Sequence, residues 1–266
     1  NPFKADVLVV KLSGKALTAD KALDALFAAL ADSAASAERT RVVLVHGGGV
    51  EVDALMRGLG RRIDRIEGLR VSPAEDMPVI AGALAGTCSL KLRGAAQRAG
   101  LMPLGLCATD AGIGRVVPAA PRLGRVGVIE PGDSAAKRRL QALLDAGFTP
   151  VISSIGMDAA GALWNINADD AAVASAALLG APLIFLSDVP GVLDANKHLF
   201  EQLNEKQAET LIAEGVISGG MTVKVRAAFR AAAMTGKPVA AASVFDPMLP
   251  NKLASGQLPG TTFTLE

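Results

Sequence analysis

The feature that most constrains this chain is a recurring unit: a solidly apolar run, a small or polar break, then residues at helical spacing. "DVLVVKLSG" (Asp6–Gly14), "RVVLVHG" (Arg41–Gly47), "MPLGLC" (Met102–Cys107), "TPVISSIG" (Thr149–Gly156), "APLIFLSDV" (Ala181–Val189) and "KPVAAAS" (Lys237–Ser243) supply the runs. A strand with one wet face alternates polar and apolar, whereas one covered on both faces reads as continuous apolar sequence. Between the runs lie amphipathic stretches, such as Ala19–Ser36 with Leu23, Leu26, Phe27 and Leu30 on one face. The pattern predicts an α/β fold of three layers: a mostly parallel open central sheet with helices on both faces.

Around this frame, "RRIDRIEGLRVS" reads as a hairpin about Glu67–Gly68, Ile113–Glu130 as a second hairpin region and "DAAGALWNI" as a third. A helix-rich stretch is expected from Pro73 to about Arg98, and helices from a Ser134 cap through Leu144, over "NADDAAVASAALLG" to Gly180, over Glu205–Glu214 and roughly Gly220–Thr235, and after a cap at Asp246. A short strand, "TTFTL", closes the chain. No low-complexity linker divides the 266 residues, so they read as one domain, 1–266.

Composition narrows function. The net charge is +1 and only 3% of residues are aromatic, so neither a basic face nor stacking platforms for nucleic acid are expected. The longest apolar stretch, "LLGAPLIFL", is too short to span a bilayer and carries Gly180 and Pro182. No charged-then-apolar leader opens the sequence, which points to the cytoplasm; the first residue is not Met. Cys88 and Cys107 sit in apolar surroundings and read as reduced core thiols. With His46 and His198 as the other soft ligands, no metal-ligand spacing exists.

In such sheets, ligands sit beyond the carboxyl ends of the strands. Three of these ends suit an anion: "KLSGK", "HGGGVE" and "SGGMTVK". Glycine lets backbone N–H groups turn toward negative charge at a helix N-terminus. Gly47 and Gly49 match part of a dinucleotide fingerprint, but Val52 occupies the third glycine position, and no Walker loop is present. Lys11 interrupts an apolar strand, where an ammonium needs a partner. Lys224 lies near the positive end of a helix dipole, where an anionic ligand would account for it. "WNINADDAAV" puts Asn165 and Asn167 at a strand–helix junction, with Asp169 in the first turn, placed to hold both lysines. Arg70 could clamp a carboxylate. Each has an ordinary alternative: a turn, a solvated lysine, a helix cap, a surface hairpin charge.

Taken in order, "VVKLSGKAL", "LVHGGGVEVDALM", "EGLRVSPAEDM", "AGALAGT", "PVISSIG", "NINADDAA", "FLSDVPGVLD" and "GGMTVKV" resemble the amino acid kinase family over essentially the whole chain. The likeness is greatest to its members that phosphorylate N-acetyl-L-glutamate in arginine biosynthesis. The resemblance implies an open αβα sandwich with an amino lobe, about 1–180, for the acyl amino acid and a carboxyl lobe, about 181–266, for ATP with Mg²⁺. Lys11 and Lys224 would neutralise the transferring phosphoryl group and Asp169 would orient both. Gly47, Gly48 and Gly49 would donate N–H groups, with Gly14 opposite. Arg70 and Asn165 would hold the substrate's α-carboxylate. Ser13, Asp188, Gly219, Gly220 and Met221 would lie near the nucleotide, and Mg²⁺ would be held through the ATP phosphates.

Ser13 stands where matching members commonly have glycine, a variant shared with uridylate kinases, and Asp170 replaces a more usual glutamine. The tail "GQLPGTTFTLE" resembles the arginine-insensitive, homodimeric type. Rival readings are a uridylate or glutamate kinase of the same fold, a non-catalytic nucleotide-binding protein, and a dehydrogenase.

Overall fold

The sheet built from these runs is deep, because its central strands are covered on both sides. The computed structural model describes residues 5–35, 40–257 and 259–265. Ser36, the expected end of the first helix, and Glu266, the last residue of the tail, lie outside the described residues. In chain order the strands are β1 (Val7–Leu12), β2 (Arg41–His46), β3 (Arg65–Ile66), β4 (Leu69–Arg70), β5 (Pro103–Cys107), β6 (Gly114–Pro118) and β7 (Val126–Pro131). There follow β8 (Thr149–Ser153), β9 (Ile155–Met157), β10 (Leu163–Ile166), β11 (Leu183–Ser187), β12 (Gln202–Asn204), β13 (Val239–Ser243) and β14 (Thr261–Thr264). The helices are α1 (Asp20–Ala35), α2 (Gly49–Gly58), α3 (Met77–Ala81), α4 (Ser89–Arg98), α5 (Ser134–Asp145), α6 (Ala168–Leu179), α7 (Glu205–Ala213), α8 (Gly220–Thr235) and α9 (Leu249–Ser255).

Eight strands form the main sheet in the order β12-β14-β13-β11-β1-β2-β8-β5. Every pairing is parallel except β13 with β14. Alternate residues of β1 enter different cores, which explains its unbroken apolar sequence. Val7 and Val9 join a cluster with Val45, Phe185 and residues of α6 and α8. Leu8, Val10 and Leu12 join another with Leu23, Leu26 and Phe27 of α1 and Leu92 of α4. Burying each such side chain contributes about 1.5–3 kcal/mol.

A four-stranded side sheet, β6-β7-β10-β9, stands beside the main one. The expected hairpins appear as β3–β4, β6–β7 and β9–β10, all antiparallel. The register that positions the site is that of β1: Leu12 lies beside Leu186 of β11 and His46 of β2, so all three strands end level.

Some local expectations shift. The cap of α5 is Asp133, not Ser134, because the Asp133 carboxylate accepts from Ala136 N–H at 2.8 Å. Asp246 accepts instead from Met248 N–H in a turn, and helix begins at Leu249. The helix-rich stretch after Pro73 is present, and within it a wider π-helical stretch, Gly82–Cys88, joins α3 to α4. Such stretches concentrate at functional sites. Strand β12 gives no alternation signal and exists through its pairing with β14.

Candidate active site

The level ends of β1, β2 and β11 bring three loops together, with the starts of α2 and α6 against the glycines and Lys224 of α8 within electrostatic reach of Lys11 and Asp169. Lys11, next to last in β1, is 7% exposed. An ammonium at that depth requires an anion, since the desolvation cost is several kcal/mol per ion. Asp169 supplies it, with Oδ1 2.6 Å from Lys11 Nζ. Asp169 is itself fixed by the start of α6, where Asn167 Oδ1 accepts its backbone N–H at 2.8 Å.

Lys224 reaches the site from the second turn of α8 and donates from Nζ to Ser187 Oγ at 2.9 Å. Burial pulls its pKa below the ordinary lysine value, the charge of Lys11 adds to this, and Asp169 and Asp188 oppose it. Lys11, Asp169 and Lys224 therefore share one cleft. Asp169 bonds Lys11 directly and acts on Lys224 through its charge, while the hydrogen bond that steadies Lys224 goes to Ser187.

The glycines hold the loops in close contact. A methyl on Gly14 would sit 3.4 Å from Gly49 N, so the loop after β1 lies against the first residue of α2. One on Gly47 would meet Ala168 Cβ of α6 at 3.2 Å. One on Gly48 would collide with Cys88 Sγ and press on Leu84, both in the π-helical stretch. The thiol is inert there, pushed up to about 12 by burial and by the neighbouring Glu51.

Beyond Gly47, Gly48 and Gly49 opens a cavity of about 240 Å³, also lined by Arg70, Asn165 and Asn167. Arg70 is not a surface charge: it is 6% exposed. Its Nη2 pairs with Asp53 Oδ1 and donates to Gly49 O at 3.2 Å, and its Nη1 is buried with no hydrogen-bond partner among the described residues. Arg65 holds the other oxygen of Asp53 at 2.9 Å. Burial would raise the Asp53 pKa, but the two arginines outweigh it and hold the carboxyl below its usual range. Asn165 Nδ2 donates to Ser72 Oγ at 3.0 Å.

On the other flank, Ser13 is a structural anchor. Its N–H donates to Leu186 O at 2.9 Å and its Oγ accepts from Ala16 N–H at 3.3 Å. Asp188, just past β11, is exposed and takes Lys15 Nζ at 2.8 Å. Gly219 and Gly220 are exposed at the start of α8, and Met221 packs on the core. Gly219 has φ of 57°, which a side chain would strain.

Sequence reasoning passed over Asp53, Ser72, Ser187 and Lys15, which hold Arg70, Asn165, Lys224 and Asp188. Each lies inside a motif already singled out, and their polar side chains were the available signal. Among the described residues, no helix is long and apolar enough to cross a membrane.

Residues 6–242 match the model of the amino acid kinase family. The acetylglutamate kinase of Vibrio cholerae serotype O1 is 47% identical over 261 residues, covering 98% of each chain. That of Aeromonas salmonicida is also 47% identical, over 97% of this chain and 98% of its own. The crystal structure of smu.665 from Streptococcus mutans UA159 superposes with a TM-score of 0.81 at 26% identity, covering 98% of this chain and 99% of that one. With the converging lysines on a parallel sheet and this coverage, the chain belongs to the amino acid kinase family.

Proposed function

We infer that this chain is an ATP-dependent kinase that phosphorylates the γ-carboxylate of N-acetyl-L-glutamate. What supports the substrate is the 47% identity to acetylglutamate kinases over nearly the full length. What supports the chemistry is one observation above all: Lys11 and Lys224 both act on Asp169 at the start of α6, next to Ala168, which lines a small cavity with Gly47, Gly48, Gly49 and the buried Arg70.

The reaction brings two anions together. The γ-carboxylate oxygen forms a bond to the γ-phosphorus of ATP, the bond from that phosphorus to the bridging oxygen breaks, and ADP leaves. No general base is required, because the carboxylate is ionised at neutral pH. The task is alignment and charge neutralisation. Unit charges about 4 Å apart interact by about 4 kcal/mol at an effective dielectric of 20, so two fixed ammonium groups offset a repulsion of that size. In this reading Lys11 and Lys224 flank the moving phosphoryl group and Asp169 fixes the first of them. Gly14, Gly48 and Gly49 bring peptide N–H groups close to it, whereas the Gly47 N–H donates to Leu12 O at 3.5 Å and Gly47 serves instead in the cavity wall. Arg70 and Asn165 hold the α-carboxylate in the cavity.

Ser13, Asp188, Gly219, Gly220 and Met221 border the nucleotide. Asp169 and Asp188, the carboxylates beside the lysines, each pair with a lysine in the structure, the first buried and the second exposed. This donor set fits Mg²⁺ that enters on the ATP phosphates, where the ion would neutralise their charge. The amino lobe, about 1–180, would take the acyl amino acid and the carboxyl lobe, about 181–266, the nucleotide, in a cytoplasmic homodimer.

The test is acyl phosphate trapping with hydroxylamine, using ATP and N-acetyl-L-glutamate, L-glutamate or uridylate. Hydroxamate is expected with N-acetyl-L-glutamate. Hydroxamate with glutamate alone, or ADP release with uridylate alone, would replace this reading with another kinase of the family.

A further inference from the structure

Lys15 is a cation beside the cleft that the proposed chemistry leaves without work. Its backbone is held on two sides: Ser13 is anchored to Leu186 of β11, and Lys15 O accepts from Thr18 Oγ1 at 2.8 Å. Its side chain is free of such constraint, being 68% exposed, and its only described bond is to Asp188. Asp188 in turn feels Lys224 as well as Lys15, and the bond from Lys15 leads the influences that hold its carboxyl below the usual range. Across the ends of β1 and β11 the charges therefore alternate: Lys15, Asp188, Lys224, Asp169, Lys11.

The two outer pairs differ in strength. Lys11 and Asp169 are buried and inseparable at low cost. An exposed pair such as Lys15–Asp188 is screened by water and adds little to stability, so its ammonium can change partners. A polyphosphate entering beside Asp188 carries more negative charge than that carboxylate and presents several acceptor oxygens.

We propose that Lys15 is a nucleotide-binding residue, held by Asp188 in the free enzyme and transferred to the phosphate chain when ATP binds. This rests on the kinase reading above and extends it: the phosphates would be gripped by Lys15 on the flank opposite Lys224.

The test compares wild type with Lys15→Met and Lys15→Arg. Calorimetry measures ATP binding without the acceptor, and kinetics give KM for ATP and for N-acetyl-L-glutamate, with inhibition by inorganic tripolyphosphate and by adenosine. Lys15→Met is expected to weaken ATP and tripolyphosphate about tenfold, the loss typical of one charge-assisted contact. Adenosine inhibition and the acceptor KM should not move, and Lys15→Arg should recover most of the loss. Unchanged ATP and tripolyphosphate affinity in Lys15→Met, or equal losses for adenosine and acceptor, would overturn the proposal and leave Lys15 a loop fastener. Failure of this proposal alone shows wild-type hydroxamate with no Lys15 effect. Failure of the kinase reading alone shows no hydroxamate while ATP binding still depends on Lys15.

Discussion

The two flanks of the cleft are built on opposite plans. On the side proposed for the acceptor, Arg70 is buried, clasped by Asp53, and set in a cavity whose glycines press on neighbouring helices. On the side proposed for the nucleotide, Asp188, Gly219 and Gly220 are exposed, and Lys15 is held by a single surface pair. A small acyl amino acid has few atoms with which to obtain affinity, so its site must be assembled beforehand. ATP brings a long charged chain and can organise mobile side chains as it binds. The difference teaches where the protein spends rigidity: around the smaller substrate.

The largest effect should come from the boundary between the flanks. Lys224→Ala is expected to lower turnover by about 10²–10³, the usual loss for one preorganised electrostatic donor. Its hydrogen-bond partner, Ser187, is neutral, so no charge is stranded and the fold should survive. Steady-state kinetics with a thermal melt checks both halves of the statement. Turnover within a few-fold of wild type would remove Lys224 from the reaction.

Arg70→Ala should break the acceptor flank selectively. The KM for N-acetyl-L-glutamate is expected to rise about 10–100-fold, as for losing hydrogen bonds to a charged group, while that for ATP stays put. Here stability should fall as well, because Asp53 keeps only Arg65. Arg70→Lys cannot restore the planar fork and should recover little. An ATP-selective defect would invert the assignment of the flanks.

How much of this could be read from the sequence depends on length scale. The sheet was legible because β1, β2 and β11 each bury both faces and so carry no polar alternation. The lysines stood out because charge inside an apolar run, or early in a helix, demands a reason. Their supporting groups were hidden for the opposite cause. Ser187, Ser72 and Asp53 are ordinary polar residues whose importance comes from a partner far along the chain, such as Ser72 with Asn165, and only folding joins them. The π-helical stretch was equally silent, since nothing in "GALAGTC" tells a π turn from an α turn; its packing on Gly48 is a tertiary fact.

The smallest expected effect sharpens the contrast through pH. His46 ends β2 immediately before the glycines, is fully buried, and has Nδ1 2.9 Å from Gly47 O. Burial first, and the charge of Arg93 after it, pull its pKa from 6.5 to about 4 against the opposing bond to Gly47. Between those values the unfolded chain binds a proton that the folded one refuses, so stability rises with pH through that window and is lost as pH falls from 6.5 toward 4. Between pH 7 and pH 5 this one imidazole should cost about 2 kcal/mol, and above pH 7 nothing. Urea unfolding of wild type and His46→Gln at both pH values measures it: the wild type should lose that much more on acidification. Equal losses in both proteins would mean that the strand end behind the acceptor cradle tolerates a charge, and that the rigidity of this flank comes from its arginines and glycines alone.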